Sequence, residues 1–197
     1  MPSNFKFKWG FKAEAERLSE QFRNQLGISK FDPLDAFLLA NHLEIPIFTV
    51  KQLYDGNEAH PVYLRLSDTS KFSAIWMPNE DDDKIIIHND NHSAKRQQSN
   101  IMHELAHIIK NHNVPHDYAR LCMEFNLHYY NKEHEQEAKY LGACLQITRP
   151  GLLWALKRNF TEPDISEYFN ASLEMVRYRL NISGVLKQRG YNNTPRE

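Results

Sequence analysis

The run from Asn100 to Asn111, NIMHELAHIIKN, sorts its residues onto two sides of a helix, and this constrains the fold more than any other stretch of the chain. At 100° per residue, Ile101, Met102, Leu105, Ala106, Ile108 and Ile109 cover one contiguous face, while Asn100, His103, Glu104, His107, Lys110 and Asn111 share the other. Such a helix has to be embedded along its back and leave a polar stripe open. The stripe reads H-E-x-x-H. His103 and His107 lie about 40° apart around the axis and one turn along it, so both imidazoles can meet one ion, with Glu104 alongside. Two-point chelation of zinc requires this spacing.

A zinc site that does chemistry also needs a third protein ligand and an open fourth position. The segment NKEHEQEAKYLGACLQI, residues 131–147, offers Glu135, Ala138 and Gly142 as one stripe at spacings of three and four. Small residues in that stripe would let the helix approach the motif helix closely, with Glu135 reaching the ion. Glu137 is the alternative, on the side of Leu141 and Leu145; the acidic residues from Glu133 to Glu137 also suit a solvated helix start, where negative charge meets the positive end of the helix dipole. Two histidines and a carboxylate accept manganese, iron or cobalt as well as zinc.

The remaining chain reads as an α+β protein. Phe11, Ala15, Leu18, Phe22 and Leu26 recur at helical spacing and Gly27 follows as a stop; Asp32 and Pro33 then read as the N-cap and first residue of a second helix, DPLDAFLLANHL. IPIFTV, VYLRL, FSAIWM and KIIIH read as a small antiparallel or mixed sheet of three or four strands, whose last hairpin turns at residues 78–83. From Ala94 onward the pattern is helical. With 197 residues, 41% of them hydrophobic, the chain can bury a core, read here as a metal-site domain over 1–150 and a helical region over 151–197.

Composition narrows the function classes. A formal charge of −1, from 24 basic and 25 acidic side chains, gives no bulk attraction to nucleic acid or anionic lipid, and no apolar run approaches the ~18 residues of a membrane span. Two cysteines make no disulfide framework and the start MPSNFKFKWG has no apolar leader, so the expected location is the cytoplasm. Cys144, on an apolar helix, reads as a small core residue.

These motifs together resemble the ImmA/IrrE family of zinc metallopeptidases, which cut repressor proteins in bacteria, phages and mobile elements. The resemblance runs from about residue 11 to 190 through LGISKFDPLDAFLLANHLEIPI, KIIIHND, Arg96 ahead of IMHELAHIIKNH, EQEAKYLGACL and ISEYFNASLEMVRYRLNISG. It implies a zincin-like active-site helix, His103 and His107 as metal ligands, Glu104 as general base, and Glu135 rather than Glu137 as third ligand. It also implies a helix-turn-helix repressor as substrate. Three positions depart from the family's usual residues: Ala106 for Gly, Lys139 for Asn or Asp, and Thr148-Arg149-Pro150 for L-M-P.

The same chemistry calls for a donor to the tetrahedral oxyanion, and the sequence offers Tyr129, Tyr130, His128, Tyr140, His112 and His116. The tail DISEYFNASLEMVRYRL has the shape of a helix-turn-helix, with Ser172 as N-cap of its second helix. Residues 151–190 hold six basic and four acidic side chains, a small excess for an element that must neutralise several phosphates, which favours a packing or substrate-holding role over DNA binding. The alternative class of function is a toxin or transcriptional regulator acting by binding to a repressor or antitoxin, with a vestigial metal site.

Overall fold

The computed structural model describes residues 6–54, 59, 61–70, 72–79, 81, 83–112 and 131–192. Helix α1 (Phe11–Gln25) buries Phe11, Ala15, Ser19 and Phe22, and it ends where Gly27 turns left-handed at φ 69°. There the Ile28 N–H donates to the Arg23 carbonyl and the Gly27 N–H to that of Asn24, the paired bonds of a glycine-capped helix end.

Helix α2 (Ala36–His42) starts later than the sequence suggests: its N-cap is Asp35, which accepts from the Leu38 N–H at 2.9 Å, and not Asp32. The reason is burial. Leu34, 1% exposed, enters the core ahead of the helix, while Asp32 accepts from the Tyr168 hydroxyl and, through its carbonyl, from Arg23.

Three strands follow: β1 (Ile47–Thr49), β2 (Ala74–Pro78) and β3 (Lys84–His88), in the order β1-β3-β2, with β1 parallel and β2 antiparallel to the central β3. The sheet is therefore mixed, and β2 and β3 form the hairpin expected around residues 78–83. IPIFTV contributes only the three residues of β1, because Thr49 and Gln52 form a capping box that opens helix α3 (Val50–Leu53).

VYLRL is not a strand but lies in helix α4 (Pro61–Leu66), with proline at the first helical position, which its fixed φ favours. The two faces of β3 separate the packing. Ile86 joins the main core, and Ile87 joins a smaller cluster with Val50, Leu66 and Phe72.

Helix α5 (Ala94–Ile109) lies on the Ile86 and Trp76 face of the sheet and packs along helix α6 (Lys132–Gln146). Helices α7 (Arg149–Lys157), α8 (Glu162–Tyr168), α9 (Leu173–Ser183) and α10 (Val185–Asn192) follow, and residues 147–185 bury their own cluster around Leu152, Ile165, Phe169 and Val176.

Polar bonds tie that cluster to the rest. Arg179 donates to Glu16 and to the Ile147 carbonyl; Gln146 donates to the Asn170 carbonyl and accepts from Ser99. The helix-turn-helix shape read from the tail is present as α8 and α9, with Ser172 accepting from the Met175 N–H at 3.2 Å. No helix among the described residues is long and apolar enough to cross a membrane.

Candidate metal centre

Helix α5 performs the sorting that its sequence demands. Ile101, Met102, Leu105 and Ala106 are fully buried, and His103 and His107 emerge on the other side one turn apart, ring centroids 4.8 Å from each other. Facing them is α6, brought close by Gly142. A Cβ added there would stand 3.0 Å from the Met102 carbonyl oxygen and 3.2 Å from the His103 Cα, both backbone atoms of α5 that cannot swing aside. Replacing Gly142 by valine is accordingly expected to cost about 2–3 kcal/mol, the upper part of the range for overpacking, read from denaturant midpoints. An unchanged midpoint would show that the two helices have slack.

The close approach places Glu135 across the histidine pair. His103 Nε2 lies 3.3 Å from Glu135 Oε2, His107 Nε2 lies 3.4 Å from Oε1, and the two Nε2 atoms are 3.1 Å apart. A tetrahedral ion with bonds of about 2.0 Å holds its ligands about 3.3 Å from one another, so the donor chemistry and the spacing both fit a small cation such as zinc. The three side chains form a group able to hold a metal ion.

Their charges support each other. Burial alone would push Glu135 up and His103 down, but the hydrogen bond between the two and the neighbouring charges reverse both, lowering the carboxyl and raising the imidazole.

Glu104 sits in a different environment, 9% exposed beneath the histidines. One oxygen, Oε2, accepts the backbone N–H of Trp76 on the edge strand β2 at 3.0 Å. Burial raises its pKa, against the opposing pull of His103, His107 and the Trp76 N–H. A carboxyl tuned upward in this way is suited to receive a proton.

Glu137, the alternative ligand, is directed elsewhere: its Oε2 lies 3.2 Å from His112 Nε2, and both residues are buried. His112 in turn places Nδ1 3.0 Å from Nδ1 of His107. His112 therefore stands behind a metal-site histidine rather than across from it as an oxyanion donor. Burial, with His107 and His134 as neighbours, pushes its pKa down to about 3.

Tyr140 is also removed from the site, packed against Phe7 and Phe11 on the α1 side. Tyr129, Tyr130, His128 and His116 lie outside the described residues. Lys139 places its ammonium 4.8 Å over the Tyr178 ring, and buried Cys144 is a core residue.

Sequence reading missed two parts of this arrangement. The Trp76 N–H has no side-chain signature at all. The Glu137–His112 pair had one: Asn111, a residue tolerant of the left-handed conformation, directly before His112 at the end of the motif helix.

A family model described as the IrrE N-terminal-like domain of the peptidase M78 family matches residues 57–181. No curated protein and no solved structure matches the chain. The match takes in α5, α6 and most of α9, so it spans the metal-site helices and most of the tail that packs beside them, and the chain belongs to the peptidase M78 family of IrrE-like proteins.

Proposed function

We propose that this protein is a zinc-dependent, site-specific endopeptidase that cleaves a helix-turn-helix repressor and so switches on a phage, mobile-element or stress-response programme in the cytoplasm. The observation that carries the reading is the convergence of His103, His107 and Glu135 beside a buried Glu104 whose pKa is raised, in a chain of a peptidase family. His103, His107 and Glu135 would hold the ion. Zinc bound there supplies Lewis acidity for the scissile carbonyl and lowers the pKa of water towards 7. Glu104 takes the proton of the attacking water and passes it to the leaving amine, so hydrolysis needs no covalent intermediate. The Trp76 N–H holds Oε2 and leaves Oε1 to collect that proton.

A cavity of about 270 Å³ adjoins His103, walled by Arg96, Asn100, Lys139, Ser172 and Tyr178. Asn100 shares this wall, and its Nδ2 is buried with no hydrogen-bond partner among the described residues. The start of α9 belongs to this wall. That placement supports a protein substrate over operator DNA, because the end of a recognition helix that would meet base edges already faces the metal site.

The test is incubation with the helix-turn-helix repressor encoded nearest to this gene, with and without chelator, followed by mass analysis. Two fragments summing to the intact repressor, formed only when zinc is present, are the expected result. An intact repressor with zinc bound at one ion per chain would sink the assignment.

A further inference from the structure

Helix α5 ends in a way that brings one more side chain back to the site. Lys110 closes the helix and Asn111 turns left-handed at φ 52°; the His112 N–H then donates to the His107 carbonyl and the Asn111 N–H to that of Ile108. These are the two bonds of a Schellman motif, and they return residue 112 to the side of the last-turn residue, His107. The imidazoles meet at Nδ1, 3.0 Å apart, and the far nitrogen of His112 meets Glu137 at 3.2 Å. His112 is 5% exposed and Glu137 6%, so water does not compete for these bonds.

The polarity of this chain of bonds follows from its outer end. A carboxylate only accepts, so His112 Nε2 must carry a proton and donate it to Glu137. A neutral imidazole has one proton, which leaves His112 Nδ1 as an acceptor. His107 Nδ1 must then be the donor, and its own single proton is spent there. His107 Nε2 is left with a lone pair that accepts from His103 Nε2 at 3.1 Å, and its longer 3.4 Å approach to Glu135 Oε1 carries no proton. His103 has no such support: among the described residues no group bonds to its Nδ1, and its side chain is 28% exposed.

Resting on the metal-site reading above, we propose that Glu137 and His112 are positioning residues that lock His107 in its Nδ1–H tautomer and thereby set the protein's affinity for its cation. Nothing in the residue pattern of the H-E-x-x-H motif requires this pair. The helix cap supplies it, and α6 delivers its anchoring carboxylate two residues beyond the ligand Glu135. The two neighbouring glutamates thus divide the work, one binding the ion and the other holding the ring that binds it.

Two measurements on the intact chain decide the matter. Nitrogen–proton correlation spectra of the metal-free protein should show His107 protonated at Nδ1, shifting to a mixture of tautomers in Glu137→Gln and in His112→Phe. Zinc affinity, measured by competition with a chromophoric chelator, should fall roughly 10–100-fold in both variants, the range typical for loss of an outer partner of a metal ligand. Melting of the metal-free proteins separates this from a packing defect, since a merely structural pair would lower the melting temperature without moving the His107 tautomer. A His107 protonated at Nε2 in the wild type, or affinities within twofold of it in both variants, would overturn the proposal. Failure of the wild type to bind zinc would instead sink the site reading, and the tautomer spectra would still decide the role of the relay.

Discussion

Replacing Glu104 by glutamine is expected to lower cleavage of the repressor by roughly 10²–10⁴-fold, the usual contribution of a general base, while zinc content stays stoichiometric. Glutamine fits the same space and its carbonyl can still accept the Trp76 N–H, so the strand and helix keep their contact. It cannot take a proton from water. The fold should gain rather than lose. A carboxyl whose folded pKa is raised above its unfolded value opposes folding once pH exceeds the unfolded value, and a neutral amide removes that opposition. Metal-free Glu104→Gln is thus expected to melt at or above the wild-type temperature. Activity within tenfold of wild type would remove Glu104 from the mechanism.

A second large effect is expected far from the metal. Arg179 on α9 is completely buried, and its guanidinium meets both carboxylate oxygens of Glu16 on α1 while Nε donates to the Ile147 carbonyl at 2.7 Å. Its Nη1 has no partner among the described residues, so the ion pair is what offsets the cost of burying the charge.

Glu16→Ala should cost about 3–5 kcal/mol in urea unfolding, the range for a buried charge left without its partner. The neighbouring Arg23, also fully buried, adds to the penalty. Burial and the charge of Arg179 already push its pKa down to about 10, and among the described residues its hydrogen bonds go to the carbonyls of Ser19, Asp32 and Gln146. A combined Glu16→Leu and Arg179→Met variant should recover most of the loss, because an apolar pair of similar volume needs no desolvation. A loss below 1 kcal/mol in Glu16→Ala would mean that water reaches the guanidinium.

The parts of the molecule that could be read from the chain are those specified within one or two helical turns. The split faces of α5, the stop at Gly27, the Ser172 cap and the Glu135–Ala138–Gly142 stripe all depend on residues three to four apart. Short apolar runs were harder, since VYLRL carries no alternation and Pro61 decides for a helix. Asp32 directly before Pro33 is the cap that local rules favour, and the burial of Leu34, which depends on the rest of the core, moves the cap to Asp35.

Apart from Glu135, which its small-residue stripe and the family resemblance placed with the histidines, partners distant in sequence could not be read. Glu16 and Arg179 are 163 residues apart, and His112 and Glu137 are 25 apart. Tyr140 looked available to the cleft, but Phe7 and Phe11 hold it against α1.

The bond from the Trp76 N–H to Glu104 has a bearing on solubility as well as on catalysis. Among the described residues strand β2 pairs with β3 on one side only, so it is an edge, and unpaired N–H groups along an edge invite a strand from another molecule. Glu104 occupies one of those donors from within. A substitution that abolishes both the base and the acceptor, such as Glu104→Ala, exposes the edge at Trp76 and is expected to aggregate more readily than Glu104→Gln. Greater aggregation of Glu104→Ala than of Glu104→Gln at equal stability would give the acid at the centre of the motif a second role, as a guard against self-association.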